Sequence, residues 1–104
     1  MEQEKKTYFE NWADRYRHDL TTNIMPFWME HGWDRKHGGV YTCVNRDGSL
    51  MDTTKSVWFQ GRFAFVCAFA YNNVEKNPTW LEAAKSAIDF IEKYCFDSDG
   101  HMYF

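Results

Sequence analysis

Over residues 8–20 the apolar side chains Tyr8, Phe9, Trp12, Ala13, Tyr16 and Leu20 return at steps of three and four, with Glu10, Asp14, Arg15 and Arg17 between them. That spacing predicts an amphipathic helix, and the charged stretch at residues 2–6 reads as its solvated start. Pro26 lacks the N–H that a continuing helix would use, so residues 23–31 form either a kinked extension or a separate short helix begun by Pro26; the separate helix is favoured. Gly38 and Gly39 break the pattern. Residues 40–44 favour β structure and end at the turn sequence Asn45-Arg46-Asp47-Gly48, which predicts a hairpin.

Thr53 or Thr54 can cap a second helix, whose nine-residue stretch 63–71 is apolar on every face and therefore predicts an inner helix buried on all sides. Asn77-Pro78 supplies a cap followed by proline at the first helical position. Leu81, Ala84, Ile88, Ile91 and Cys95 then form one stripe, as in an amphipathic outer helix. The acidic turn at residues 97–100 leads into a short β-like run at residues 101–104 that looks interrupted. Asp34-x-x-x-Gly38-Gly39-Val40-Tyr41 and Asp97-x-x-Gly100-His101-Met102-Tyr103 suggest one unit written twice: helices, an acidic turn with glycine, then a short strand with tyrosine. Inner and outer helices in such units close a core by repetition, so the chain is expected to belong to a larger helical array or toroid.

Composition sharpens the picture in one respect. Aromatic residues number twenty against eleven Leu, Ile and Val among the 104 residues, so burial relies on large flat rings, which also line ring-binding clefts. The net charge of -3 gives no basic footprint, and nucleic acid and anionic membrane surfaces are not expected partners. The apolar stretch at residues 63–71 is about half of the roughly twenty residues that a bilayer crossing needs. No secretory signal pattern opens the chain, and a cytoplasmic location is expected. Cys43, Cys67 and Cys95 are widely spaced and odd in number, which predicts reduced thiols, mostly buried, rather than disulfides or a zinc knuckle.

Few residues offer chemistry. His31, Asp34 and His37 carry ligand types that zinc accepts, but the spacing does not fix their geometry, and turn or cap roles are favoured; no metal is expected. Lys55, Trp58 and Arg62 fall at i, i+3 and i+7 of the second helix, on one stripe. Arg62 is either stacked and paired structurally among aromatic rings, or a guanidinium aimed into a cavity to hold oxygens of a polyol or an enolate-like anion. Gln60 and Gly61 add a neutral amide and a close backbone approach. Trp28, Trp33, Trp58 and Tyr41 are candidate stacking faces for a sugar, although most rings of this kind are core. No Ser-His-Asp set, Cys-His set or phosphate-cradling glycine loop is present.

The string Ile24-Met25-Pro26-Phe27-Trp28-x-x-His31-x-x-Asp34-x-x-x-Gly38-Gly39-Val40-Tyr41-Thr42-Cys43-Val44-x-Arg46-Asp47-Gly48, followed by Lys55-x-Val57-Trp58-Phe59-Gln60-Gly61-Arg62, resembles the start of the N-acylglucosamine 2-epimerase (renin-binding protein) family. The resemblance extends through Trp80-Leu81-Glu82-Ala83-Ala84 to Asp99-Gly100-x-x-Tyr103-Phe104. It implies an all-α fold, residues 1–104 being the N-terminal portion of a single (α/α)6 barrel with short β-hairpins at its mouth. It further implies reversible C2 epimerisation of N-acetylglucosamine and N-acetylmannosamine through an enolate, usually in a homodimer. No cofactor would serve the chemistry, and ATP would act only as an allosteric activator.

By the same resemblance, Arg62 matches the arginine that contacts substrate oxygen, and Trp58 and Lys55 are substrate-binding candidates at the barrel mouth. The acid and base histidines would lie outside these residues; neither His31 nor His37 matches one. Related branches, the cellobiose 2-epimerases and aldose–ketose isomerases, and a non-catalytic binding or dimerisation piece are the alternatives.

Overall fold

The structure is a computed structural model that describes residues 1–103; Phe104, the last residue of the expected terminal run, lies outside them. Helix α1 (Glu2–Asp19) carries Glu2 and Glu4 in its first turn and Arg17 and His18 in its last, charges that suit the helix dipole at each end. Its apolar stripe is present, but no residue of α1 is buried, and Tyr8, Phe9 and Tyr16 are exposed. Tyr8, Trp12 and Tyr16 instead pack on one another along the helix, with ring centroids 6.3 and 5.7 Å apart.

Pro26 does not begin a separate helix. The chain runs from α1 through a π-helical turn (Leu20–Ile24), the short helix α2 (Met25–Phe27) and a second π-helical turn (Trp28–Gly32) without leaving helical backbone. The Met25 N–H bonds back to the Leu20 carbonyl, five residues earlier, so the turn ahead of the proline is widened and its ring meets no i−4 hydrogen bond. The hydroxyls of Thr21 and Thr22 donate to the Arg17 and His18 carbonyls, which occupies acceptors at the transition. The favoured sequence reading thus gives way to its alternative, the kinked extension.

The expected hairpin forms as strands β1 (Cys43–Val44) and β2 (Leu50–Asp52), antiparallel, pairing Cys43 with Asp52 and Val44 with Leu50 across a bulge. Gly48 turns it at a φ of 96°, a conformation that favours glycine.

Helix α3 (Val57–Asn73) is capped by Ser56, whose hydroxyl accepts from the Phe59 N–H, rather than by Thr53 or Thr54. Thr54 is held away because its hydroxyl and N–H both bond the Asp52 carboxylate. Helix α4 (Pro78–Tyr94) starts as expected, with Asn77 Oδ1 accepting from the Thr79 N–H and Pro78 at the first position. The two helices pack through small residues, Ala64, Cys67 and Ala70 of α3 with Ala83, Ala84 and Ala87 of α4, and Met25, Met29, Val40, Phe63 and Trp80 complete the core.

Within these residues α3 is buried on one flank only. Trp58, Phe65 and Phe69 are exposed, because α4 and the Met25–Gly32 stretch cover a single side of it. All three cysteines are free, and Cys67 and Cys95 are buried; burial alone pushes the Cys67 thiol up to about 12. No helix among the described residues is long and apolar enough to cross a membrane.

The repeated unit is visible in backbone detail. Asp34 Oδ1 accepts from the N–H groups of Lys36 and His37, and Asp97 Oδ1 accepts from those of Asp99 and His101. The Asp34 N–H bonds Gly39 O and the Asp97 N–H bonds His101 O; Gly38 and Gly100 take φ of 86° and 85°. Each turn closes on an isolated antiparallel bridge, Trp33 with Val40 and Phe96 with Met102.

Candidate functional site

The first acidic turn is fastened to the start of α3 by charge. Lys55 Nζ donates to Asp34 Oδ2 at 2.6 Å and to the Gly38 carbonyl at 2.9 Å, and it lies over the rings of Tyr41 and Phe90. Burial alone would raise the Asp34 pKa. The hydrogen bond from Lys55, those from the His37 backbone and Tyr41, and the Lys55 charge outweigh it and hold the carboxyl well below the usual carboxylate range. Burial, followed by the bond to and charge of Asp34, raises the Tyr41 hydroxyl. Lys55, a substrate-binding candidate by the resemblance, places its ammonium in this turn, where it partners the buried Asp34 carboxylate.

Five residues on, a neutral amide makes the second fastening. Gln60, fully buried, donates from Nε2 to the Val40 carbonyl and accepts at Oε1 from the Val40 N–H, both at 2.7 Å. A side chain thereby completes both backbone groups of a residue 20 positions away, which a buried backbone outside regular sheet pairing needs. Gly39 leaves the room for it: a Cβ there would meet Gln60 Oε1 at 2.7 Å and Phe90 Cγ at 2.9 Å. The Gly39 N–H donates to Ser86 Oγ, tying the same turn to α4.

On the far side of α3 the exposed Arg62 lies with its guanidinium carbon 4.1 Å from the centroid of the Trp58 ring. The guanidinium makes no hydrogen bond or ion pair among the described residues, so stacking orients it while its donors stay unused. Beside it opens a groove of about 460 Å³ lined by Val57, Trp58, Gly61, Phe65, Ile91 and Met102. Tyr103 reaches the adjoining rim against Val57 and Trp58. The second acidic turn therefore delivers Met102 to the groove beside the arginine and Tyr103 to the adjoining rim. Sequence reasoning had not assigned these two to the site; the doubled turn motif was the signal that could have done so.

The remaining candidates are elsewhere. Trp28 packs on Phe59 at 5.9 Å, Trp33 lies under the Arg35 guanidinium, and Tyr41 faces Lys55. His37 stays beside Asp34 at 3.3 Å, whereas His31 lies on Phe27 and beneath Gly48, so the three zinc-type ligands do not converge. Asp97, Asp99 and His101 bring ligand atoms within 4.8 Å of one another, but Asp97 is already engaged in capping its own turn.

Residues 38–104 match the family described as N-acylglucosamine 2-epimerase (GlcNAc 2-epimerase). The N-acylglucosamine 2-epimerase of Homo sapiens is 36% identical over 96 residues, which cover 90% of this chain and 22% of the human protein. Among solved structures, a sugar epimerase from a ruminal bacterium superposes with a TM-score of 0.74 at 29% identity, over 86% of this chain and 23% of that one. The cellobiose 2-epimerase of Spirochaeta thermophila DSM 6192 gives a TM-score of 0.81 at 23% identity, over 94% of this chain and 24% of that one. These neighbours are (α/α)6 barrels, and the α3–α4 pair with its short hairpin and acidic turns is one arc of that fold. The chain spans less than a quarter of the length of the relatives it matches.

Proposed function

The chain belongs to the N-acylglucosamine 2-epimerase family, and from that premise we propose that the protein interconverts N-acetylglucosamine and N-acetylmannosamine, with Arg62 holding substrate oxygen. The observation that carries the proposal is the Arg62 guanidinium, exposed, stacked on Trp58 and without a partner among the described residues, at the edge of an open groove. In the ring-opened sugar a base removes the proton at C2, α to the C1 carbonyl, and the electron pair moves onto the carbonyl oxygen as an enolate. A proton returned to C2 from the opposite face gives the epimer, so atoms and charge balance without an oxidant or reductant.

Arg62 is suited to the developing oxyanion, because a guanidinium presents fixed donors and remains charged throughout. Trp58 gives the arginine its orientation and leaves a ring at the groove for the apolar face of the sugar. In this reading the acid and the base are histidines outside these 104 residues. The protein works as a cytoplasmic homodimer that needs no cofactor for the chemistry, with ATP as an allosteric activator; these finer points rest on the family resemblance.

The test is proton NMR of N-acetylglucosamine in D2O with the complete protein. Loss of the C2 proton signal together with growth of N-acetylmannosamine establishes the reaction. No exchange there, with turnover of cellobiose, glucose or mannose, moves the protein to a sister branch; no exchange with any of them replaces the enzyme by a binding module.

A further inference from the structure

Gln60 and Arg62 sit two residues apart on α3, about 200° around the helix, so they face nearly opposite directions. Gln60 is fully buried and its amide bonds both backbone groups of Val40 at 2.7 Å each, while Arg62 and Trp58 stand exposed beside the groove. A pair of short, antiparallel hydrogen bonds fixes direction as well as distance. It therefore ties the rotation of the first turns of α3 to Val40, alongside the Ser56 cap and the core packing of Phe63, Ala64, Cys67 and Ala70. The Lys55 anchor reaches the same turn from a flexible four-carbon stem one residue ahead of the cap.

We propose that Gln60 is a positioning residue for Arg62: its amide bracket on Val40 sets the rotation of α3 that aims the guanidinium into the groove. The proposal rests on the reading that Arg62 holds substrate oxygen. A guanidinium carried on a helix of about 2.3 Å radius, with its side chain extending well beyond, moves by ångströms for a modest rotation, and misplacements near 1 Å cost about a hundredfold in rate. Nothing about Gln60 touches substrate; its effect passes through Arg62.

A double-mutant cycle in the complete protein tests it, with kcat and KM for N-acetylglucosamine, or whichever of the sugars above is turned over, measured together with thermal melting. Gln60→Met removes both bonds at unchanged length, and Gln60→Asn keeps the amide but withdraws it by one methylene; Arg62→Lys keeps the charge and loses the planar fork. Folded Gln60 variants are expected to lose tenfold to a hundredfold in kcat with a smaller change in KM. In the Arg62→Lys background the same substitution is expected to cost less than threefold, since the group it positions is already gone.

An equal loss in both backgrounds, or unchanged kcat in a folded Gln60 variant, overturns the positioning role while leaving Arg62 its own. Failure of both Gln60 variants to fold assigns the bracket to stability and overturns it too. Full turnover in Arg62→Lys and Arg62→Ala removes the arginine from the reaction, and the positioning falls with it.

Discussion

Lys55 Nζ stands 2.6 Å from Asp34 Oδ2, joining residues 21 positions apart, and neither side chain is more than 9% exposed. The pair clamps the glycine turn ahead of the hairpin to the residue that precedes the α3 cap. Removing one member of a buried pair strands the other, whereas replacing both removes the uncompensated charge. Lys55→Met in the complete protein is expected to cost about 3 kcal/mol of folding stability. Lys55→Met combined with Asp34→Asn is expected to recover a large part of it, both read from denaturant unfolding.

The same carboxylate sets an acid limit. Its pKa in the folded protein is lowered, so in the unfolded chain Asp34 takes up a proton at about 3.9, before it does so in the native state. Its contribution is therefore complete above about pH 5 and shrinks as pH falls below about 4. Melting temperature measured from pH 6 down to pH 3 is expected to fall less steeply in Asp34→Asn than in the parent. Parallel slopes would show that the carboxylate does not carry the limit.

Two glycines on either side of Gln60 are expected to respond in opposite directions. Gly39 has a φ of 76° and no room for a Cβ, so Gly39→Ala combines left-handed strain with a clash against the amide and Phe90, at about 2–4 kcal/mol. A Cβ on Gly61 meets nothing within 4 Å. Gly61→Ala is expected to stabilise α3 by about 0.5–1 kcal/mol. Because Gly61 also lines the groove, the added methyl is expected to raise KM for the sugar while the melting temperature rises.

Local rules reached what local chemistry decides. Asn77-Pro78 announced α4, Asn45-Arg46-Asp47-Gly48 announced the hairpin, and the two Asp-to-Gly turns were readable as one motif because each aspartate caps its own turn. The i to i+4 step from Trp58 to Arg62 likewise put the two on one stripe, where the side chains stack. What stayed hidden depends on partners distant in sequence. The partner of Lys55 was not legible because Asp34 is 21 residues away, and Gln60 looked like a neutral neighbour of the arginine because its partner is a backbone group. Thr54 lost the cap to Ser56 through a competing bond to Asp52, and Pro26 was absorbed by a π turn that a periodicity of 3.6 does not describe.

The chain by itself leaves much apolar surface open. Its radius of gyration is 16.6 Å, against about 13 Å for a compact domain of this size. Tyr8, Phe9 and Tyr16 on α1 and Phe65 and Phe69 on α3 are exposed. Residues 1–104 produced alone are expected to bind an apolar dye and to melt without a sharp transition. A cooperative melt with no dye binding would mean that these faces close on each other in solution.

Arg62 is exposed and bonds nothing else among the described residues, so its removal should cost little stability. An oxyanion donor lost from a preorganised site costs about 10²–10³ in kcat. Arg62→Ala in the complete protein is therefore expected to lower kcat by that order while the melting temperature moves by less than about 2 °C, a surface-substitution effect. Trp58→Ala removes the ring that orients the guanidinium and is expected to lower turnover by a smaller factor, with KM rising as the stacking face is lost. The pair separates the two sequence-level readings of the arginine. If Arg62→Ala lost melting temperature in proportion to its turnover, the Trp58 stack would be holding α3 together rather than aiming a charge, and the groove beside it would need another residue to hold the sugar oxygen.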